Sequence, residues 1–429
     1  MPASHLATFH ADITPPLGHP LCGGWIPSAK AIDDPLRAVG IVLMGEESPV
    51  VLCALDWCGL RNDANLAWRQ ALARAAHTTP DRVAVQCVHP HDAPFVDLEA
   101  QRLLVTAGAP SCVDQTFFDQ VVKKTAEALQ KSLAMASPVT HFSTGQARVR
   151  DVASNRRVLG ADGKVEFWRG SSSRDPKARA APEGLIDPWL KVLGFWNGDK
   201  PLAALNFYAS HPMSYYGQGH VSSDFCGLAR QRRQDDLPGV LQVYFNGCAG
   251  NIAAGKFNDG APENRPVLSE RMYAAMKAAW EASKRQPVPR WNWRADAVTF
   301  DPRSEAAFGR AANEALLSDA KATSAKRGNA AFQLSWLNRQ SRPVPVGCLQ
   351  MGHADVLVLP GEPFVEYQLF AQSQRPDDFV CVAGYGDGGP GYLPTRDAYK
   401  EGGYEITVAL AAPTCEEKLK AAIKRLLKT

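Results

Sequence analysis

Apolar runs of strand length recur along this chain, and several stop at a residue able to hold a metal or move a proton. RVAVQCV leads into His89 and His91, ALNFYAS into His211, LQVYF into the loop from Asn246 to Asn251, and DVLVLPG into Glu362. Short apolar runs bounded by polar or glycine-containing turns read as buried strands. Between them lie stretches with helical spacing: NDANLAWRQALARAAH, with Asn62 or Asp63 as its cap, DQTFFDQVVKKTAEALQKSLA, SERMYAAMKAAWEASKR and the closing EEKLKAAIKRLLK. The alternation predicts an α/β fold, with mixed β-sheets flanked by helices and long inserted loops. In such folds ligands gather outside strand ends, so side chains far apart in sequence can converge.

Local patterns refine this expectation. AVGIVLMGEESPVVLCALD predicts two strands joined by a polar turn. LKVLGFWN and PLAALNFYASHP predict a hairpin turning at Asn-Gly-Asp, and VPVGCLQMGHADVLVLPGEP predicts two more strands. Residues 303–328 read as helical, and residues 150–187, rich in Arg, Ser and Gly, as a long loop. No short-period repeat or clear linker interrupts the chain. One domain over residues 1–429 is therefore expected, with inserted loops and no C-terminal immunoglobulin-like domain.

The formal charge of +3 gives no reason to expect nucleic acid or an anionic membrane as partner. No apolar run approaches the roughly 20 residues that span a bilayer. The opening MPASHLATFHADITPP lacks a basic start and an apolar core, so a cytoplasmic location is expected. The ten cysteines form no CxxC pair and sit mostly in apolar runs, which predicts reduced, buried thiols.

The strand-end residues suggest zinc. Two imidazoles and a carboxylate form a known catalytic set that leaves a position open for water. In His89-Pro90-His91 the alternation of a strand would put both rings on one face. A pair of hydrogen-bonded loop histidines is the competing reading. Asp12, Asp56 and Asp224 could orient a ligand histidine, or serve only as turn and cap residues. His10 and His220 are weaker candidates for the same pocket, and His19 and His353 read as structural. A nucleophilic Cys248 would need a depressed pKa and a base. YGDGGPGY (385–392) lacks the strand–helix setting of a phosphate loop.

Nine stretches make the chemistry more specific: ADITPPLG (11–18), DDPLRA (33–38), VHPHDAP (88–94), NRR (155–157), ASHP (209–212), SSDFCG (222–227), NGCAGNI (246–252), VLPGEPFVE (358–366) and GYLPTRDAYKEGGYE (391–405). In these, and in their order, the sequence resembles the catalytic N-terminal domain of the neutral/alkaline ceramidases. The resemblance implies zinc held by His89, His211, Glu362 and Tyr392. It implies a second tyrosine at Tyr404, twelve positions after Tyr392 and just before Glu405. His91 would carry a proton, Tyr404 would donate to an oxyanion, and Asn155, Arg156 and Asn251 would contact substrate. The family's catalytic serine falls on Ala253 and its neighbouring acid on Asn251, so a serine nucleophile is not available here. The expected activity is zinc-dependent hydrolysis of an N-acyl amide by metal-activated water, on a lipid-like or other small-molecule substrate. Two alternatives stay open: a metal-dependent lyase or isomerase acting on a polar small molecule, and an inactive binding protein that kept the fold.

Overall fold

The structure is a computed structural model that describes residues 4–428. Three larger sheets share one plan. In the first, Ser4–Asp12, Arg37–Met44 and Val50–Leu55 run antiparallel. The helix Asn62–Ala75 then crosses over, and Val83–Cys87 returns parallel to Val50–Leu55. In the second, His141–Arg148, Trp189–Asn197 and Lys200–Tyr208 run antiparallel, the helix Asp224–Asp236 crosses, and Leu241–Asn246 returns parallel. In the third, Trp291–Val298, Val344–Met351 and Ala354–Val358 are followed by the helix Val365–Gln374 and the parallel strand Phe379–Ala383.

Each crossover helix then packs on a later helix: Gln115–Leu133, Asn264–Glu281 and Cys415–Leu427 respectively. Each later helix also lies against the first strand of its own sheet. In the first two units a short strand, Ser137–Val139 or Lys284–Pro287, returns to pair with that first strand. The chain is thus three consecutive units of one topology.

Burial explains why the parallel strands read as unbroken apolar runs. A parallel pair needs a crossover, and the crossover covers its sheet face. Val50–Leu55, Val83–Cys87 and Ala354–Val358 are buried at every position. Leu241–Asn246 touches both Val83–Cys87 and Phe379–Ala383, so the parallel edges of the three sheets meet at the centre. One apolar cluster runs through the first two units into the third, and a second fills the third. The cysteines are all buried and free, and no described helix is long and apolar enough to cross a membrane.

The expected strand pairs form, including the hairpin at Asn197–Lys200, where Gly198 takes the left-handed φ of 58° that its turn requires. Three local expectations are corrected. Arg61, not Asn62 or Asp63, occupies the N-cap of the first helix: the Asn62 side-chain oxygen, which a cap would use, accepts from Arg339 Nη1 at 3.0 Å, and Asp63 pairs with Arg342. Residues 150–187 are not one loop: Ser154–Asn155, Arg157–Leu159 and Val165–Trp168 form short strands, and Pro176–Ala180 a helical turn. The helical stretch at 303–328 is two helices, Arg310–Ser318 and Ser324–Asn338, the second capped by the Thr323 hydroxyl.

Candidate active site

The loops leaving the central parallel strands converge. His89 follows Val83–Cys87, His211 follows Lys200–Tyr208, Glu362 follows Ala354–Val358, and Tyr385 follows Phe379–Ala383. Tyr392 lies on a two-residue strand parallel to Glu362–Pro363, directly beside Glu362. His89 holds a left-handed φ of 79°, rare for a residue with a Cβ, and its N–H donates to the Trp57 carbonyl at 3.0 Å. Strain of this kind persists only where the surroundings impose it.

The histidine tautomers follow from main-chain acceptors. His89 Nδ1 donates to the Cys58 carbonyl. His211 Nδ1 donates to the Ala249 carbonyl at 2.6 Å and lies 3.1 Å from that of Ile252. Both Nε2 atoms therefore present lone pairs, and each lies 3.4 Å from Glu362 Oε2. His89 Nε2 and Glu362 Oε2 are buried and find no hydrogen-bond partner among the described residues. One atom from each of His89, His211 and Glu362 falls within 4.8 Å of the others. Lone pairs turned on one another in a buried place are what a cation resolves, so the donor set fits a metal ion.

Electrostatics agree with that fit. Burial lowers the His89 imidazole to about 4, which keeps it neutral at pH 7. Burial works to raise the Glu362 carboxyl, but His89, His211 and Arg61 outweigh it and hold it at about 2. A neutral His89 imidazole and an ionised Glu362 are the protonation states that metal ligands need. Burial also raises the Tyr392 phenol well above its ordinary value, with Arg156 opposing. Its hydroxyl lies 3.4 Å from His211 Nε2 and accepts from Arg156 Nη1 at 3.2 Å.

His91 sits edge-on to His89, ring centroids 4.7 Å apart, with its Nδ1 donating to the His89 carbonyl at 3.2 Å. Burial, with His89 and His211 adding to it, pushes its imidazole well down, so His91 is neutral with Nε2 as its acceptor. Tyr404 stands across the cavity, 6.2 Å from Tyr392 by ring centroids, and burial lifts its phenol to about 12. Arg156 stacks on Trp168 and Tyr404 and pairs with Glu405 at 3.4 Å. His89, His91, Arg156, Glu362, Tyr392 and Tyr404 line one cavity of about 420 Å³, whose apolar side is formed by Trp25, Phe95, Phe332, Met213 and Tyr216.

Other residues singled out by sequence lie elsewhere. Asn155 spends its amide on the Leu185 carbonyl and the Arg157 N–H. Asn251 accepts from the Val365 N–H and donates to Glu366. Neither side chain is turned to the cavity, because each ties loops together behind it. Asp12 closes a turn with Thr14, Asp56 grips Arg230, and Asp224 accepts from the Ser214 N–H. None of these carboxylates orients His89 or His211; backbone carbonyls fix both rings, and no sequence motif announces them. His10 lies by Arg37 and Arg230, His220 pairs with Asp33 at 2.9 Å, and burial drives the Cys248 thiol well up. His19 donates to its neighbour's carbonyl, and His353 meets Thr144.

The sequence reading missed three features. The Tyr385 ring lies 4.5 Å from that of His89. Cys22 and Cys58 stand 3.6 Å apart on the cavity wall. Arg61 lines the same wall. Cys58, Arg61 and Tyr385 sit one to three residues past a strand end, and only that position could have drawn attention to them; Cys22 lies far from either neighbouring strand and carries no such signal.

Among solved structures, a ceramidase complexed with C2 superposes at a TM-score of 0.74, with 16% identity, over 99% of this chain and 75% of that one. The fold is that of the neutral ceramidases. A neutral ceramidase from Pseudomonas aeruginosa superposes at 0.73, also at 16% identity, over 99% of this chain and 74% of its own. No protein-family model and no curated protein matches the chain. Within this ceramidase fold, the position where the resemblance puts a serine holds Ala253, buried on the short strand Ile252–Ala253 against Ser154–Asn155.

Proposed function

We propose that this protein is a zinc-dependent amidohydrolase that cleaves an N-acyl bond. The observation that carries the reading is the cluster of His89, His211 and Glu362, with both Nδ1 atoms fixed by carbonyls and both Nε2 atoms turned to one carboxylate. Tyr392 completes the ligand set. Zinc bound there supplies a Lewis acid for the amide carbonyl and brings the pKa of a bound water to about 7.

The chain's own groups supply the rest. His91, neutral and oriented through its Nδ1, would take the proton of the attacking water on Nε2 and deliver it to the departing amine nitrogen as the C–N bond breaks, a contribution of about 10²–10⁴-fold. Tyr404, protonated at neutral pH, donates to the carbonyl oxygen as charge develops there. Arg156 keeps the Tyr392 hydroxyl in place and adds positive potential beside it. The aromatic wall excludes water and accommodates the apolar part of the substrate. With Ala253 at the serine position, nothing there can form an acyl-enzyme.

The test is metal content together with amine release from an N-acyl substrate. Purified protein is expected to hold about one equivalent of zinc and to release amine. His89→Ala is expected to lose the metal and at least about 10³-fold of the turnover while keeping its circular dichroism, since a ligand is gone and the fold is not. Turnover that persists in His89→Ala would defeat the metal mechanism. Bound zinc without amine release from any N-acyl compound would favour a binding protein.

A further inference from the structure

Among the described residues, Arg61 is the buried arginine whose guanidinium makes no hydrogen bond or ion pair. It is 7% exposed and lines the cavity together with His89, His91 and Glu362. Its Nε is enclosed and meets no acceptor. Its flat face is held by two rings, with Cζ 4.7 Å from the Phe95 centroid and 5.3 Å from that of Phe332. Every other buried arginine among the described residues makes at least one hydrogen bond through its guanidinium, although Arg156 and Arg339 also leave Nε without a hydrogen bond. Arg230 grips Asp56 through two 2.8 Å bonds, Arg157 reaches Glu401 and Glu405, and Arg169 takes a row of carbonyls.

The carboxylates around Arg61 are already engaged. Asp97 accepts from the Ala100 N–H, the Asn62 amide and the Ser335 hydroxyl. Asp387 is paired with Arg339, and Glu362 faces the two imidazoles. A guanidinium stays charged in a protein, and a buried charge without a partner is costly. Two aromatic rings hold this one in a fixed plane on the wall of the substrate cavity. A planar fork so placed matches two oxygens of a carboxylate or phosphate.

We propose that Arg61 is the anion-recognition residue of this cavity, and that the N-acyl substrate carries a carboxylate or phosphate oxyanion. The anion site stands on the geometry alone, whereas its role toward a substrate rests on the hydrolase reading above. Such a substrate differs from a neutral N-acyl lipid: its charged group docks on Arg61 while its apolar chain lies along the aromatic wall.

The experiment uses two matched ligand pairs on the full-length protein as purified. The first is N-lauroylglycine against N-lauroylglycinamide; the second is N-lauroyl-phosphoethanolamine against N-lauroylethanolamine. Binding is followed by stopped-flow tryptophan fluorescence, since Trp25 and Trp168 line the cavity, and amine release is followed separately. In wild type at least one anionic member is expected to bind roughly ten- to a hundred-fold more tightly than its neutral partner. The pair with the larger ratio identifies the oxyanion. The ratio is expected to fall to about threefold or less in Arg61→Met and to recover in part in Arg61→Lys, which restores charge without the fork. Equal affinities in wild type for both pairs, no binding of any of the four, or a ratio that survives Arg61→Met would each overturn the assignment. The last outcome would place the oxyanion on the metal centre instead. Retained discrimination with no amine release from any ligand would sink the hydrolase reading and leave the anion site standing.

Discussion

The Asp92 carboxylate is 2% exposed, its Oδ1 accepts from the Gly217 N–H at 2.9 Å, and its Oδ2 makes no hydrogen bond among the described residues and lies 3.8 Å from Arg265 Nη2. Burial raises its pKa to about 6, with Arg265 and the Gly217 N–H opposing, so the folded chain holds a proton there that the unfolded chain gives up near pH 3.8. Stability from this group is therefore present below about pH 4 and is lost as pH rises through about 6. Asp92→Asn keeps the Gly217 bond and removes the buried charge. It is expected to stabilise the protein at pH 7.5 by about 1–2 kcal/mol and to flatten the stability slope between pH 4 and 6. Chemical denaturation across that range checks both, and an unchanged slope would remove Asp92 as the source. The same carboxylate shows what one residue reveals in sequence. Asp92 was legible only as the polar end of VHPHD. Whether its two oxygens find donors depends on Gly217, over a hundred positions away. His89, His211, Glu362 and Tyr392 were legible because chemically distinctive side chains fell within motif-like stretches. The Cys58 and Ala249 carbonyls that fix the imidazoles were not, since every residue has a carbonyl.

At the scale of an element, the loop Gly247–Asn251 and the strand Glu362–Pro363 are pressed together backbone to backbone. Gly250 donates its N–H to the Pro363 carbonyl at 2.9 Å, and a Cβ on Gly250 would stand 2.4 Å from the Glu362 carbonyl oxygen. That oxygen belongs to a metal-ligand candidate, so the contact cannot relax without moving Glu362. Asn251 reinforces the join by accepting from the Val365 N–H at the start of the next helix. Gly250→Ala is expected to cost about 1–3 kcal/mol through overpacking and to weaken zinc binding at least tenfold. A competitive chelator titration measures the second effect. Unaltered zinc affinity in a destabilised variant would show that Glu362 is not held by this contact. The sequence carried the strand before this loop and the helix after it in plain apolar periodicity. It did not carry the approach distance, because a glycine in NGCAGN reads equally as a turn. The segment at 150–187 was opaque for a related reason. Ser154–Asn155 pairs with the distant Ile252–Ala253, and Arg157–Leu159 and Val165–Trp168 form a local bulged hairpin of strands too short to carry an alternation.

At the scale of the molecule, the three units of common topology meet along their parallel edges, and each contributes to the site: His89 from the first, His211 from the second, Glu362 and Tyr392 from the third. The repeat escaped the sequence because it is a repeat of topology over well more than a hundred residues, with loops of different length and no shared motif to mark it. The arrangement has an energetic consequence. A metal shared by all three units stabilises the junction, not one unit, because binding favours only the state in which the three strand ends are together. At a free zinc concentration of 1,000 Kd the gain is about 4.1 kcal/mol. Removing zinc with a chelator is therefore expected to lower the unfolding midpoint measurably. It should also raise amide hydrogen exchange in residues 88–91, 209–212 and 359–362 together, while the sheet interiors stay protected. His211→Ala is expected to show the raised exchange without chelator and no further change with it. Exchange rising in one loop alone would mean that the ion is held within a single unit, and the centre would then not be the joint of the fold.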